Sequence, residues 1–280
     1  MAENAAPTPP LASDADIDHA RRFGGVARLY GAAALARFER ASVCVIGLGG
    51  VGSWAVEALA RSAIGALTLI DMDHVAESNV NRQLHAVEGN FGKPKTRALA
   101  ERIAAINPAC RVCEVDDFLV IDKLVAMLGE RAAPRHDWII DCIDNFRTKA
   151  ALIHHCRSHR LKLITCGGAG GMLDPTAIHI TDLSRSERDP LLAKTRKLLR
   201  QSHGFPRNPK RRFDVPCVYS DEQLVYPDGA GGVTTAKPAG AAASGLNCAG
   251  GFGSGVCVTA PFGFAAAAQV LRKLAAESAA

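Results

Sequence analysis

From Ala41 onward, short apolar runs alternate with stretches whose apolar positions recur at helical spacing. Ser42 to Ile46 is apolar and β-branched, Val51 to Arg61 is helical in period, and Ala66 to Ile70 is apolar again. Pro94 opens a further helix that Asn107-Pro108 closes. Arg111 to Val115 reads as a third strand and Trp138 to Ile143 as a fourth. A helix then runs through Arg157, and Leu161 to Thr165 is the fifth strand. This rhythm predicts an α/β fold with a doubly wound, mostly parallel sheet covered on both faces.

The rhythm breaks after Gly167-Gly168-Ala169-Gly170-Gly171. Thr176 to Thr181 is a candidate sixth strand. Arg185 to Arg212 is strongly basic, and Asp228 to Gly255 is rich in Gly and Ala without a clear period. Long loops without structure of their own are usually functional or mobile. A last helix, from Phe262 to Ala276, is expected to pack back on the sheet. The resulting organisation is a disordered leader over 1–20 and one domain over 21–280. Its nucleotide-binding part covers 41–171 and its C-terminal substrate part 172–280.

Composition narrows the classes. In 280 residues, 48% are hydrophobic and 22% charged, enough apolar material for a full core. Nine scattered cysteines suit a reducing cytoplasm better than a disulfide framework. No charged residue falls between Lys237 and Arg272, which raises the question of a membrane. Gly and Ala dominate that stretch and Pro261 interrupts it, so a buried loop and a core helix are expected instead of membrane association.

Gly47-Leu48-Gly49-Gly50-Val51-Gly52 follows a strand and precedes a helix. In that context a G-x-G-x-x-G loop lets phosphates approach the backbone at a helix N-terminus. Asp71, ending the second strand, stands where an acid accepts ribose hydroxyls, although a turn or helix-cap role would look the same. Asn79-Val80-Asn81-Arg82-Gln83 sets a guanidinium among amides, close behind Asp73. Phe91-Gly92-Lys93-Pro94-Lys95 puts an ammonium at a helix start, where the dipole also favours phosphate. Asp144 follows the fourth strand, at the sheet edge where ligands bind in open α/β folds. Such a concentration of cations suits a triphosphate better than a nicotinamide.

Taken together, Gly47 to Gly52, Leu69 to Asp73, Asn79 to Gln83, Gly92 to Lys95 and Asp141 to Asn145 resemble the ubiquitin-activating-like adenylating enzymes of the ThiF/MoeB superfamily. Further segments are similar to its tRNA threonylcarbamoyladenosine dehydratase (TcdA) branch. They are Arg22 to Gly31, Thr165 to Gly171, Ile180 to Leu183, Asp189 to Leu191, Leu224 to Pro227 and Cys248 to Gly253. The resemblance implies ATP-dependent cyclisation of the threonylcarbamoyl group on a tRNA adenosine, by a homodimer. It implies that Arg82, Lys95 and Asp144 are catalytic, Asp144 with Mg²⁺. Gly47, Gly49, Gly50, Gly52, Asp71, Asp73, Asn79 and Gln83 would bind nucleotide, and Arg28 or Arg82 could reach a neighbouring subunit's ATP. A cysteine desulfurase or sulfur-acceptor system is left open as a further partner.

The paired C-x-x-C motifs of the sulfur-transfer branches are missing. Cys110-Arg111-Val112-Cys113 is the only such motif, and residues three apart on a strand face opposite ways, so no zinc is expected. For Cys217 and Cys248 a buried structural role competes with a catalytic one; Cys248 reads as structural, since ring closure within one substrate needs no thioester. Lys194, Arg196, Lys197, Arg200, Arg207, Lys210, Arg211 and Arg212, with Phe205 and Phe213 nearby, could follow an RNA backbone and stack on bases. A solvated helix face would have the same composition. Activation of a small sulfur-carrier or ubiquitin-like protein, and a non-catalytic nucleotide-binding adaptor, remain the competing functions.

Overall fold

The computed structural model describes residues 18–117, 119–236 and 253–278. Two helices, α1 (His19–Tyr30) and α2 (Ala32–Arg40), lead into β1 (Ser42–Ile46), α3 (Gly52–Ala60) and β2 (Ala66–Ile70). Then come α4 (Lys95–Ile106), β3 (Arg111–Val115), the short α5 (Leu124–Leu128) and a minimal hairpin of β4 (Gly129–Glu130) and β5 (Ala133–Pro134). The chain continues through β6 (Trp138–Asp141), α6 (Phe146–Ser158), β7 (Leu163–Cys166), β8 (Ile178–Asp182), α7 (Pro190–Ser202) and β9 (Pro216–Ser220). A second hairpin, β10 (Tyr226–Pro227) with β11 (Val233–Thr234), precedes the closing helix α8 (Val256–Glu277).

Seven strands form one sheet in the order β3-β2-β1-β6-β7-β9-β8. All neighbours are parallel except β8, which runs antiparallel to β9. Strand order reverses between β1 and β6, so their carboxyl ends part to leave a crevice. One apolar layer joins α2, α3 and α8 to the sheet through Phe38, Leu59, Phe262 and Val270. On the other face, Leu152, Ile153, Leu192 and Leu199 bring α6 and α7 onto Ile139 and Cys217.

The predicted strands stand within a residue or two of their expected places. Four readings need correction. Asp18 caps α1 by accepting the Arg21 N–H at 2.8 Å, so 18–20 belong to the folded part; residues 1–17 lie outside the described ones. The basic stretch contains α7, and β9 was not foreseen. The last helix starts at Val256, six residues before the expected Phe262, and continues through Pro261. Proline removes the bond to the Cys257 carbonyl, but Cys257 is exposed and water can satisfy it. Among the described residues no helix is long and apolar enough to cross a membrane.

His85 is a buried titratable group with a measurable consequence. It is 2% exposed, neither ring nitrogen has a hydrogen-bond partner among the described residues, and its pKa is pushed down to about 4 by burial and then by the charge of Lys95. The fold therefore holds a neutral ring. Its contribution to stability is present above pH 6.5 and is lost as the pH falls through about 4. Between pH 7 and about 4.5 the wild type is expected to lose roughly 2 kcal/mol more than His85→Leu, measured by urea unfolding. Parallel losses would remove His85 as the cause.

Candidate nucleotide and acceptor cleft

The carboxyl ends of β1, β2, β6 and β7 open into a cleft of about 1340 Å³. Its floor begins at the glycine loop. Gly47 has φ +84°, and a Cβ there would stand 2.9 Å from the Cys142 carbonyl oxygen. Gly52, buried at the start of α3, would place a Cβ 1.9 Å from the Gly47 carbonyl oxygen. The loop is therefore wound tightly on itself, and its N-terminal helix end faces the cleft.

Asp71 ties that loop down. Its carboxylate accepts the Leu48 N–H at 2.6 Å and the Asp73 N–H at 2.8 Å. The turn role and the site position thus coincide, because each oxygen keeps a lone pair for a hydroxyl donor. Lys95 is the first residue of α4, and its side chain is 6% exposed. Its ammonium lies 2.7 Å from Asp73 and 4.0 Å from Asp71. The expected phosphate cation is thus already neutralised by two acids.

Arg82 is held in place from several sides. Its guanidinium donates to the Ser78 carbonyl and the Asn81 side chain, both at 2.8 Å. Its own carbonyl accepts the indole N–H of Trp54 at 3.0 Å. Asn79 accepts the Ala76 N–H with its side chain, shaping the turn that leads to Arg82. Gln83 is buried against the loop, and its carboxamide oxygen has no partner among the described residues. Asp144 is exposed at the end of β6, with no partner among the described residues.

Of the predicted nucleotide residues, Gly47, Gly49, Gly50, Asp71, Asp73, Asn79, Arg82, Gln83, Lys95 and Asp144 all line this cleft. Gly52 lies beneath it. Arg28 does not reach it and is exposed on α1. Five carboxylates, on Asp71, Asp73, Glu77, Asp117 and Asp144, face two permanent cations, Arg82 and Lys95. Beyond Asp144 the wall passes to Gly167, Gly168, Pro190, Leu191 and Leu224, then to Gly253, Ser254 and Thr259. The glycine run at 167–171 was legible in the sequence as a change of rhythm. Thr259 and Trp54 carried no such signal.

The basic cluster divides. Arg196 is turned inward, donating to the Ser186 hydroxyl, and burial lowers its pKa. Arg200 stacks over Phe213 at 5.1 Å and Arg212 lies 3.6 Å from Asp182. Phe213 is 2% exposed and meets Phe205 edge-on at 5.0 Å, so it is a core residue and unavailable for base stacking. Lys194 lies 5.9 Å from the Phe146 ring, while Lys197, Arg207, Lys210 and Arg211 are exposed. Cys217 is fully buried in β9, where burial pushes its thiol pKa up. Cys248 lies outside the described residues.

A crevice of this kind at the strand-order reversal defines a Rossmann-like nucleotide-binding domain, and the chain belongs to the ThiF family, matched over residues 22–276. It is 49% identical over 259 residues to the tRNA threonylcarbamoyladenosine dehydratase of Escherichia coli strain K12, covering 92% of this chain and 95% of that one. The crystal structure of the E. coli tRNA N6-threonylcarbamoyladenosine dehydratase, TcdA, with ATP has a TM-score of 0.82 and 46% identity, covering 96% of this chain and 99% of that one. Its complex with AMP has the same TM-score and identity, with 97% and 100% covered.

Proposed function

We propose that this chain is an ATP-dependent enzyme that adenylates the threonylcarbamoyl carboxylate on a tRNA adenosine and promotes its cyclisation. One observation carries this reading above the others: the likeness to the E. coli dehydratase runs through nearly the whole of both chains. It includes the acceptor side of the cleft and not only the nucleotide half. Activation of a carrier protein would share the nucleotide half alone.

A carboxylate is already ionised at neutral pH, so its attack on the α-phosphate of ATP needs no general base. The new O–P bond forms as pyrophosphate leaves. A nucleophile of the same threonylcarbamoyl moiety then attacks the activated carbonyl, and AMP departs with the carboxylate oxygen. The sum is loss of one water from the substrate, coupled to cleavage of ATP into AMP and pyrophosphate.

The protein's part is alignment and charge. Asp71 accepts the ribose hydroxyls, and the glycine loop offers N–H groups to the phosphates. Lys95 releases Asp73 to meet the phosphate chain, and Arg82 stabilises charge on the departing pyrophosphate. In a homodimer, Arg82 or the exposed Arg28 could instead serve the neighbouring subunit. Five carboxylates against two cations would repel a bare triphosphate. That imbalance fits Mg²⁺, which is content with one or two carboxylates when phosphates and water complete its shell. Asp144, exposed and unpartnered, is the residue that fits it, with Asp73 the weaker candidate; bound there, the ion would screen the phosphates.

The test is mass spectrometry of tRNA nucleosides before and after treatment with protein and ATP. Loss of one water from threonylcarbamoyladenosine, only with ATP, is expected. No change with the modified tRNA, but pyrophosphate release with a carrier protein, would replace this reading. Lys197, Arg207, Lys210 and Arg211 are the tRNA contacts we favour. With about four phosphate contacts, affinity should fall roughly 50- to 150-fold between about 50 and 200 mM salt. A flat salt dependence in filter binding would rule this surface out.

A further inference from the structure

Under the acceptor side of the cleft lies a charge pair that none of these steps uses. Lys149 on α6 and Asp141 at the end of β6 are both 0% exposed, with the ammonium 2.8 Å from Asp141 Oδ2. Thr165 on β7 donates to the same oxygen at 2.7 Å and accepts from the ammonium at 3.1 Å. The other oxygen, Oδ1, accepts the Ile143 N–H at 3.0 Å. Two residues further on, the Asn145 side chain accepts the Arg147 and Thr148 N–H groups and caps α6. Asp144 therefore sits on a link fastened at both ends.

A second wall of the cleft hangs on another buried carboxylate. Asp189 caps α7 through the Leu192 N–H at 2.8 Å and accepts the Gly168 N–H at 2.9 Å. Burial pushes the Asp189 pKa up, while these two N–H groups and the Lys149 charge favour its ionised form. Two segments lining the cleft, 142–144 and 167–168, thus each hang on a buried carboxylate, and the first of these is paired with Lys149. Neither Lys149, Asp141, Thr165 nor Asp189 lines the cleft.

Replacing a buried ion pair with apolar groups is often neutral or stabilising, so stability alone does not account for one here. We infer that Lys149 is a positioning residue: through Asp141 and Thr165 it holds the Asp144 link in register for attack on the α-phosphate. The inference rests on the role given to Asp144 above.

Removing Lys149 alone would strand a buried carboxylate, so the informative protein is the double variant Asp141→Asn/Lys149→Met. It removes both charges and keeps a side-chain oxygen for the Ile143 N–H. Its thermal midpoint is expected to stay within a few degrees of wild type, and ATP affinity by calorimetry within about threefold. Pyrophosphate release at saturating ATP and modified tRNA should fall about tenfold or more, and amide exchange over 142–145 should quicken.

Wild-type turnover in the folded double variant would overturn the inference, as would a loss of ATP affinity that matches the loss of rate. If the double variant does not fold, Thr165→Val decides in its place, by the same split between rate and ATP affinity. Asp144→Asn, run alongside, separates the two readings. Full activity there would remove the role of Asp144, whereas an inactive Asp144→Asn beside a fully active double variant would remove only the role of Lys149.

Discussion

Lys95→Ala is expected to lower ATP-dependent pyrophosphate release by at least about 100-fold, or about 3 kcal/mol of transition-state stabilisation. Two effects act in the same direction. The ammonium is one of only two permanent cations lining the cleft among the described residues, so its loss removes half of the side-chain charge available to the phosphates. It also leaves Asp73 and Asp71 without the counter-charge that stands 2.7 and 4.0 Å away, turning both carboxylates against the incoming triphosphate. Lys95→Arg should recover little, because the side chain is 6% exposed and the planar guanidinium needs more room. A melting curve separates this from misfolding. Turnover within a few-fold of wild type in a folded Lys95→Ala protein would end the assignment.

Gly52→Ala should be nearly as damaging by another route. A Cβ at this position falls 1.9 Å from the carbonyl oxygen of Gly47 and 3.0 Å from its carbonyl carbon, and both are backbone atoms. Gly47 cannot simply retreat, since it is held at φ +84° against the Cys142 carbonyl and its N–H is bonded to the Ile70 carbonyl. The loop must open, and the N–H groups offered to the phosphates turn away. A loss of about 2–4 kcal/mol in stability and of about 100-fold in ATP affinity is expected, read by urea unfolding and calorimetry. Gly49→Ala is the matching control. Its Cβ meets nothing closer than the Gln83 amide at 3.9 Å and projects where ligand would lie. It should leave the melting point unchanged while weakening ATP. If Gly52→Ala bound ATP normally, the loop would not be where the phosphates sit.

Much of the nucleotide half was legible before any coordinates. Its central strands β1, β6 and β7 are buried on both faces, so each is a nearly unbroken apolar run, and its loops carry residues with restrictive conformational demands. The C-terminal half was harder. The buried positions Leu191, Leu192, Thr195 and Leu199 recur at helical spacing, but in a region crowded with cations their period was masked. Strand β9 is five residues long and starts with proline. It inserts between β7 and β8, an order that local sequence does not encode.

What the sequence determined by itself is the chemistry on offer: a glycine loop after a strand, acids at strand ends, a lysine at a helix start. Tertiary structure decided which of those groups meet and which are already occupied. It turned Arg196 inward, sank Phe213 into the core, gave Lys95 two carboxylate partners and buried Lys149 beneath the wall it supports. The physical reason is that residue type and spacing constrain a side chain's neighbours within one element. Burial and pairing across elements depend on packing between segments distant in the chain.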